Sequence, residues 1–553
     1  MPSKSETIKL LEEIADMLEL KGENKFKVQA YRGGASSLQK LDRDFELIIQ
    51  RKELDKIKGI GASLQKVIYE FYNTNESSLF KELRNETPGE LEQLLKIKGL
   101  NPSKIKQLYS RLNIKNLEEL EKAARSNLLI NVKGFGESLQ NKILSSIKDY
   151  KKYKHFILLS SALKLSEGLL NIISNFTSVK KVEKSGELRR GSEIISQIDL
   201  VILVSNITVF YNELRKNFVF RKLKDKAVVE EYSDVPIFIF ITQNKPEYYK
   251  QLFLTTGSDD FINSLGIKKI KGVSEEDIFL NLDTNYVIPE MREKEYFEQK
   301  KKSLLKNSTL TFDDFKGLLH FHTTYSDGKN TLTEMINAAE ELGFKYASVN
   351  DHSKSAYYAN GLDEKRVLEQ IQEIKKIKSR VNLFAGIEAD ILTNGDLDYQ
   401  DEYLSNFDFV IASVHSRFNL EEKEMTKRII KAIENPFVDV LAHPSGRQLL
   451  SREPYKFDTK KVIDACSANK VAVEINSSPK RLDLEWRWIY YAREKDCLFS
   501  INPDAHTISE ISYLVYGIMM GRKGGLQSGE VINCFNLNKF KKFLNRKVKR
   551  NFM

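Results

Sequence analysis

The sequence predicts a multidomain protein with a helical front, a mixed α+β middle and an α/β C-terminal region built as a parallel sheet or β/α barrel. Three observations predict it. A glycine-hairpin pattern recurs three times in the first 150 residues, buried-strand runs first appear near residue 198, and strands alternate with helices from residue 317 onward. A chain of 553 residues exceeds what one core supports. Its 41% apolar and 30% charged residues suit a soluble globular protein, and no apolar run approaches the ~20 residues of a membrane span. The opening MPSKSETIKLLEEIADMLEL reads as an amphipathic helix with acids throughout, not as a signal peptide. Cys466, Cys497 and Cys534 are scattered and form no CxxC pair, which fits a reducing cytoplasm and argues against thiolate zinc. The formal charge of +10 permits a polyanionic partner such as nucleic acid.

In the helical front, IKGIGASLQKVI (57–68), IKGLNPSKIKQL (97–108) and VKGFGESLQNKI (132–143) share one plan. An apolar residue, Lys-Gly, another apolar residue and a turn-forming residue precede a new helix. Gly59, Gly99 and Gly134 supply the tight turn, and the helix starts after Gly61 and Gly136 offer unpaired backbone N–H groups. Such a helix–hairpin–helix holds a nucleic-acid phosphate without reading bases. Plain αα-hairpins with glycine caps would look the same; three copies in a basic chain favour DNA-backbone binding. The middle copy, with Asn101-Pro102 for the second glycine, fits least well.

The middle region carries IDLVILVS (198–205) and VPIFIFIT (235–242), which read as buried strands, then a charged helix and linker over 292–308. From 317 the strand candidates are GLLHFHT, YASVND, NLFAGIEADI, FDFVIASVHS, VDVLAHP, VAVEINSS and LFSINPDAH. The basic end KFKKFLNRKVKR (539–550) reads as a solvated final helix rather than as part of a DNA surface.

Six of the seven histidines lie at or beyond His320. His320 and His322 flank Phe321, so the period of a strand puts both imidazoles on one face. Asp327 follows in the next loop. His352, Glu388, His415, His443, Asp504 and His506 each sit at the C-terminal end of a predicted strand, the active face of a β/α barrel. Histidine with carboxylate and no thiolate suits Zn2+, Mn2+ or Fe2+. Nine ligands exceed what one ion uses, which implies two or three divalent metals. Clustered divalent ions activate water, neutralise a phosphate and stabilise the leaving oxygen, so the predicted chemistry is phosphoester hydrolysis.

HFHTTYSDG, NDHS, GIEADIL, SVHS, HPSGR and DAH resemble the polymerase-and-histidinol-phosphatase (PHP) metal-dependent phosphoesterase domain, with every ligand position filled. The resemblance implies one ion on His320, His322, Glu388 and Asp504; a second on Glu388, His415 and His443; and a third on Asp327, His352 and His506. Arg447 in HPSGR reads either as a phosphate contact or as half of a salt bridge.

The front resembles a family X DNA polymerase. LELKGENKFKVQAYRGGASSLQKL (18–41) is similar to its N-terminal domain, GELRRGSEIISQIDLVI (186–202) to its palm motif, TTGSDD (255–260) to its TGS turn and YVIPEMRE (286–293) to its thumb end. Fusion of such a polymerase to a PHP domain is the bacterial and archaeal arrangement. The implied fold class is multidomain, α+β and α/β. It comprises a lyase-like helix–hairpin–helix domain (1–78), a fingers-like one (79–150), a nucleotidyltransferase-like palm (151–256), a thumb-like domain with linker (257–315) and a distorted (β/α)7 PHP barrel (316–553).

The polymerase site departs from the family pattern. The family's palm needs three carboxylates for two Mg2+ ions, but here the first pair reads Gln197 and Asp199, and Ile237–Ile241 of the next strand contains none. The nucleotide motif keeps Gly186, Arg189, Arg190, Gly257 and Ser258, but Glu187 replaces a serine and Thr255 an aromatic residue. The family's lyase lysine aligns with Val67, and the adjacent Lys66 points about 100° away around the helix. The expectation is therefore a DNA-repair protein in which the PHP domain is the working enzyme. It would be a manganese-preferring 3′–5′ exonuclease or abasic-site endonuclease on a palm that no longer polymerises. Its partners would be gapped, nicked or 3′-ended DNA and other repair proteins, with no membrane, in the cytoplasm and on the nucleoid when DNA-bound. The alternatives are a working gap-filling polymerase and a non-catalytic DNA-binding scaffold.

Overall fold

A computed structural model describes residues 2, 4–41, 45–86, 89–224, 226–230, 232–266, 270–300 and 307–549. Two compact units divide the chain, Met1–Lys154 and His155–Met553.

The first unit is helical throughout its described residues. Apolar residues at helical spacing on Lys4–Lys21 (Leu11, Ile14, Leu18) bury against Tyr31, Leu38, Leu54 and Ile68 in one small core. A second core gathers Leu94, Ile105, Leu108, Leu120, Phe135 and Ile143. All three hairpins form. Gly59, Gly99 and Gly134 have φ of 93°, 96° and 89°, the left-handed region that a β-carbon disfavours, and the helices Ala62–Thr74, Pro102–Leu112 and Glu137–Tyr153 follow. The copies are not equivalent. Gly61 and Gly136 cap their helices with no side chain, and a β-carbon there would meet open space. At the middle hairpin Asn101 Oδ1 accepts from Lys104 N at 2.8 Å, and a β-carbon on Gly99 would lie 2.8 Å from Leu139 of the third hairpin's helix. The middle turn is thus capped and packed inward. Val67 is buried in the first core and Lys66 is exposed.

In the second unit, β1 (Val179–Ser185), β2 (Ile198–Val204), β3 (Phe220–Lys222), β4 (Lys226–Val229) and β5 (Ile237–Thr242) form a sheet of order β1-β2-β5-β4-β3. Only β2 and β5 run parallel. The β3–β4 hairpin was not legible in the sequence, because its strands are three and four residues long. A separate cluster of Phe253, Phe261, Phe279, Val287 and Met291 builds the segment read as the thumb. Of the charged stretch 292–308, Glu295–Lys300 is helical and residues 301–306 lie outside the described residues.

Seven strands then follow in sequence order, all parallel: β6 (Gly317–Leu318), β7 (Tyr346–Val349), β8 (Asn382–Asp390), β9 (Phe409–Ser413), β10 (Val440–Leu441), β11 (Ala472–Asn476) and β12 (Phe499–Asn502). A helix follows each of them before the next, as the strand–helix alternation requires. A bridge between Phe321 and Ala505, with His322 N donating to Ala505 O at 2.8 Å, nearly closes the barrel. The final helix, Leu537–Leu544, plugs the floor. Phe540 stacks on Tyr346 at 4.5 Å and meets Phe384 and Phe409, all near the N-terminal ends of their strands. The basic C-terminal stretch therefore lies at the end of the barrel opposite the ligand-bearing strand ends, and its last residue, 550, is outside the described residues. Among the described residues no helix is long and apolar enough to cross a membrane.

Candidate metal centre

Strand ends build the site. The ladder of β6 stops at Leu318, so His320 and His322 sit where the sheet opens, on one face, with ring centroids 5.3 Å apart. His352 leaves β7, Glu388 lies on β8, His415 leaves β9, His443 leaves β10, and Asp504 and His506 leave β12. His443 and Asp504 hold φ of 26° and 52°, left-handed conformations that a non-glycine residue keeps only where its surroundings enforce them.

All nine sequence-predicted ligands meet. Glu388 is the hub: its Oε1 lies 3.0 Å from His443 Nε2, 3.3 Å from His415 Nε2 and 3.6 Å from His320 Nε2, and its Oε2 lies 2.8 Å from His352 Nδ1. Asp504 Oδ1 is 3.0 Å from His322 Nε2 and 3.6 Å from His320 Nε2. Asp327 Oδ1 is 3.3 Å from His506 Nε2 and 3.7 Å from His352 Nε2. Three groups lie close enough to share an ion: His320, His322 and Asp504; His352, Glu388 and His415; and His322, Asp327, His352 and His506. One difference from the sequence-based grouping stands out. His352 reaches both Glu388 and the Asp327–His506 pair, whereas His443 Nε2 faces Glu388.

The donor set fits divalent ions. His320 Nε2, Asp327 Oδ1 and Glu388 Oε2 are buried without a hydrogen-bond partner, a costly state that a cation would relieve. Outer carboxylates aim the rings. His320 Nδ1 donates to Glu474 at 2.7 Å, His415 Nδ1 to Asp390 at 2.5 Å and His506 Nδ1 to the Asp504 carbonyl at 2.9 Å. A carboxylate or carbonyl only accepts, so these Nδ1 atoms carry the proton and the Nε2 lone pairs face the centre. Without ions, protons fill this role. Burial lowers His415, but Glu388 and Asp390 outweigh it and bring it up to about 10. Burial likewise opposes charge on His506, but Asp327 raises it to about 9. His322, desolvated among His506 and His352, is pushed down to about 3. Burial would raise Glu388, yet the facing imidazoles of His352, His415 and His320 hold it well below the carboxylate range. These residues would give up those protons on holding a divalent ion.

Several residues of the site were missed in the sequence. Glu474 also accepts from His443 N at 2.7 Å and from Asn502 at 2.9 Å. Asp351 accepts from Thr323 and Ser326 backbone N–H groups at 2.8 and 3.2 Å and so shapes the loop that carries Asp327. Strand alternation could have placed Glu474 facing inward, but only contact shows that it orients His320. Glu474→Gln is expected to weaken metal retention by about 10–100-fold, measured by competition against a fluorescent chelator. The Arg447 guanidinium engages Glu193 and the Arg481 and Leu482 carbonyls in this structure. The cation at the mouth is Arg481, whose Nε lies 3.9 Å from Asp504.

The palm motif is brought together too. Asp199 on β2 pairs with Phe238 on β5. Gln197 Nε2 donates to both Asp199 oxygens at 2.9 Å, and Glu187 accepts from Ser196 N at 2.6 Å. Gly186 is pressed against Asp199, where a β-carbon would come within 2.2 Å of its carboxylate. Arg189 makes a two-point bond to Glu275 at 3.0 and 2.6 Å, and Arg190 pairs with Glu293 at 3.0 Å, which Lys523 also meets at 2.6 Å. Gly257 ends the helix Lys245–Thr256, and Ser258 caps the short helix Asp259–Ser264, its Oγ accepting from Phe261 N at 3.2 Å.

The chain matches a helix–hairpin–helix domain over residues 2–77, a SAM-like helix–hairpin–helix tandem over 91–149 and a PHP domain over 319–478. It is 32% identical to a "Probable phosphatase" of Acetivibrio thermocellus over 29% of this chain and 64% of that protein. It is 28% identical to a "Probable phosphatase" of Thermoanaerobacter sp. over 42% of this chain and 95% of that protein. A third relative, the "DNA polymerase/3′-5′ exonuclease PolX" of Bacillus subtilis, is 30% identical over 98% of this chain and 99% of its own length. With its hairpin domains, its PHP barrel and likeness along its whole length, the chain belongs to the PolX family of DNA polymerase/3′-5′ exonucleases.

Proposed function

We propose that this protein acts in DNA repair as a metal-dependent phosphodiesterase that trims DNA 3′ ends, cuts at abasic sites, or does both. The observation that carries the reading is the mouth of six histidines and three carboxylates gathered on Glu388, Asp504 and Asp327. The likeness to a relative named as a 3′-5′ exonuclease supports it. Two or three ions, Mn2+, Zn2+ or Fe2+, would be held by the three ligand groups above. Bound there, they supply Lewis-acid activation of water and charge stabilisation at the phosphate. The chain's own part is positional. Glu474 and Asp390 fix the imidazoles, the buried walls exclude bulk water, and Arg481 draws the non-bridging phosphate oxygens to the mouth.

The first and third hairpins, with open and uncapped helix starts, hold DNA phosphates; the middle one supports them. The palm serves as frame rather than polymerase. Of the strand positions Gln197, Asp199 and 237–241, only Asp199 is a carboxylate, too few for two Mg2+ ions, and Arg189 and Arg190 already face Glu275 and Glu293 where a triphosphate would need them. The five-segment division read from the sequence belongs to this proposal, as does action in the cytoplasm on gapped, nicked or 3′-ended DNA. The test is release of nucleotides from a labelled single-stranded 3′ end with Mn2+. Chelation is expected to stop it and Mn2+ to restore it, and release that persists in excess chelator contradicts the reading.

A further inference from the structure

We propose that Tyr358 forms a stacking platform for the base at the scissile end, which makes the mouth select base-bearing DNA ends over other phosphoesters. The inference rests on the hydrolase reading above and goes beyond it, because the ligand set alone would accept any phosphoester.

The segment after His352 is a pedestal built to hold its shape. Ser353 Oγ donates to Asp398 at 2.7 Å and Ser355 N to the same carboxylate at 2.9 Å. Leu362 N returns to His352 O at 2.8 Å, and Gly361 N bonds Ala356 O at 3.1 Å. Gly361 lies so close to Ser353 O that a β-carbon would come within 1.9 Å of it. Arg366 ties down Asn360 O and Gly361 O at 2.9 and 3.1 Å. Ala356 and Ala359 are fully buried, yet the two residues between them are 87% and 71% exposed.

A fixed backbone that holds a largely exposed aromatic ring in solvent is an expensive arrangement for a fold to keep, and such a ring marks a binding surface where it borders a site. Location says what binds. The Tyr358 ring centroid is 6.3 Å from that of His352 and 6.3 Å from that of His415, so the ring stands on the rim of the metal centre. That step is about the size of the sugar separating a base from its phosphate. A neutral ring beside Glu388, Asp390 and Asp327 does not attract a phosphate, but it can stack any base, since every base has a π-face. A platform without hydrogen-bond readout suits an enzyme that removes nucleotides regardless of sequence.

The test uses the full chain and two probes. The first is an oligonucleotide with 2-aminopurine at its 3′ end behind a non-hydrolysable methylenephosphonate linkage; stacking on a tyrosine quenches its fluorescence. The second is a pair of cleavable oligonucleotides, one ending in a normal nucleotide and one in a baseless tetrahydrofuran residue, assayed with Mn2+. The wild type is expected to prefer the base-bearing end by about 5- to 100-fold in KM, the size of one base–aromatic stack. In Tyr358→Ala the quenching and the preference should both fall toward none, while Tyr358→Phe and Tyr357→Ala keep them. Equal quenching in wild type and Tyr358→Ala, or a base preference that survives Tyr358→Ala, overturns the platform. Failure to cleave either end would contradict the hydrolase reading separately, because the 2-aminopurine signal needs no cleavage.

Discussion

Glu388→Ala is expected to lower Mn2+-dependent release of nucleotides from DNA 3′ ends by about 10^3-fold or more. This is the largest single effect the geometry predicts. Glu388 is the one carboxylate within 4 Å of His320, His322, His352, His415 and His443, so its loss removes the charge that holds three ligand groups together. Metal content should fall with activity, by at least one ion per chain on elemental analysis after dialysis. Because the residue is buried in β8, Glu388→Gln is the companion variant: it keeps the shape and removes the charge, and the same loss is expected. His415→Ala should follow the same direction. Cleavage that persists in both Glu388 variants would show that the chemistry lies elsewhere.

Asp199→Asn is expected to stabilise the protein above pH 6 and to leave nucleotide release in place. Burial first, with Glu187 adding repulsion, raises the Asp199 carboxyl to about 6 against the opposing hydrogen bond from Gln197. An acid raised on folding favours the folded state below its unfolded pKa, near 3.9, and loses that contribution as pH rises through about 6. The asparagine has no charge to bury. Its advantage should therefore be absent below about pH 4, grow between pH 4 and 6, and level off at roughly 2–3 kcal/mol at pH 8. Thermal unfolding of both proteins at pH 4 and pH 8 measures it. A palm that binds Mg2+ for synthesis would give the opposite result: the ions would favour the ionised carboxylate, and the substitution would destabilise the protein in Mg2+.

The ligands other than Asp327 were legible because each closes a strand-like run, and a parallel barrel collects such residues at one mouth. His320 and His322 could be placed on one face from spacing alone. Their partners were not legible. Glu474 and Asp390 look like ordinary strand residues until β8, β9 and β11 bring them beside His320 and His415. Arg447 and Glu193 are 254 residues apart, and no local pattern joins them. The same holds for Arg189 with Glu275 and Arg190 with Glu293, whose pairing is set where the helix Glu275–Asn281 packs on Lys245–Thr256 and Pro289–Met291 on Gly186–Arg190. In the front unit, glycine spacing gave all three hairpins, but their inequality needed the contact of Gly99 with Leu139. The β3–β4 hairpin was too short to carry a periodic signal.

A single gapped DNA, labelled on the primer strand and incubated with Mn2+ with and without nucleotides, tests the central claim most directly. Shortening of the primer in both mixtures, with no extension in either and none of it in Glu388→Gln, is the predicted result. Extension of the primer when nucleotides are present, or shortening that the Glu388 variant retains, would contradict it.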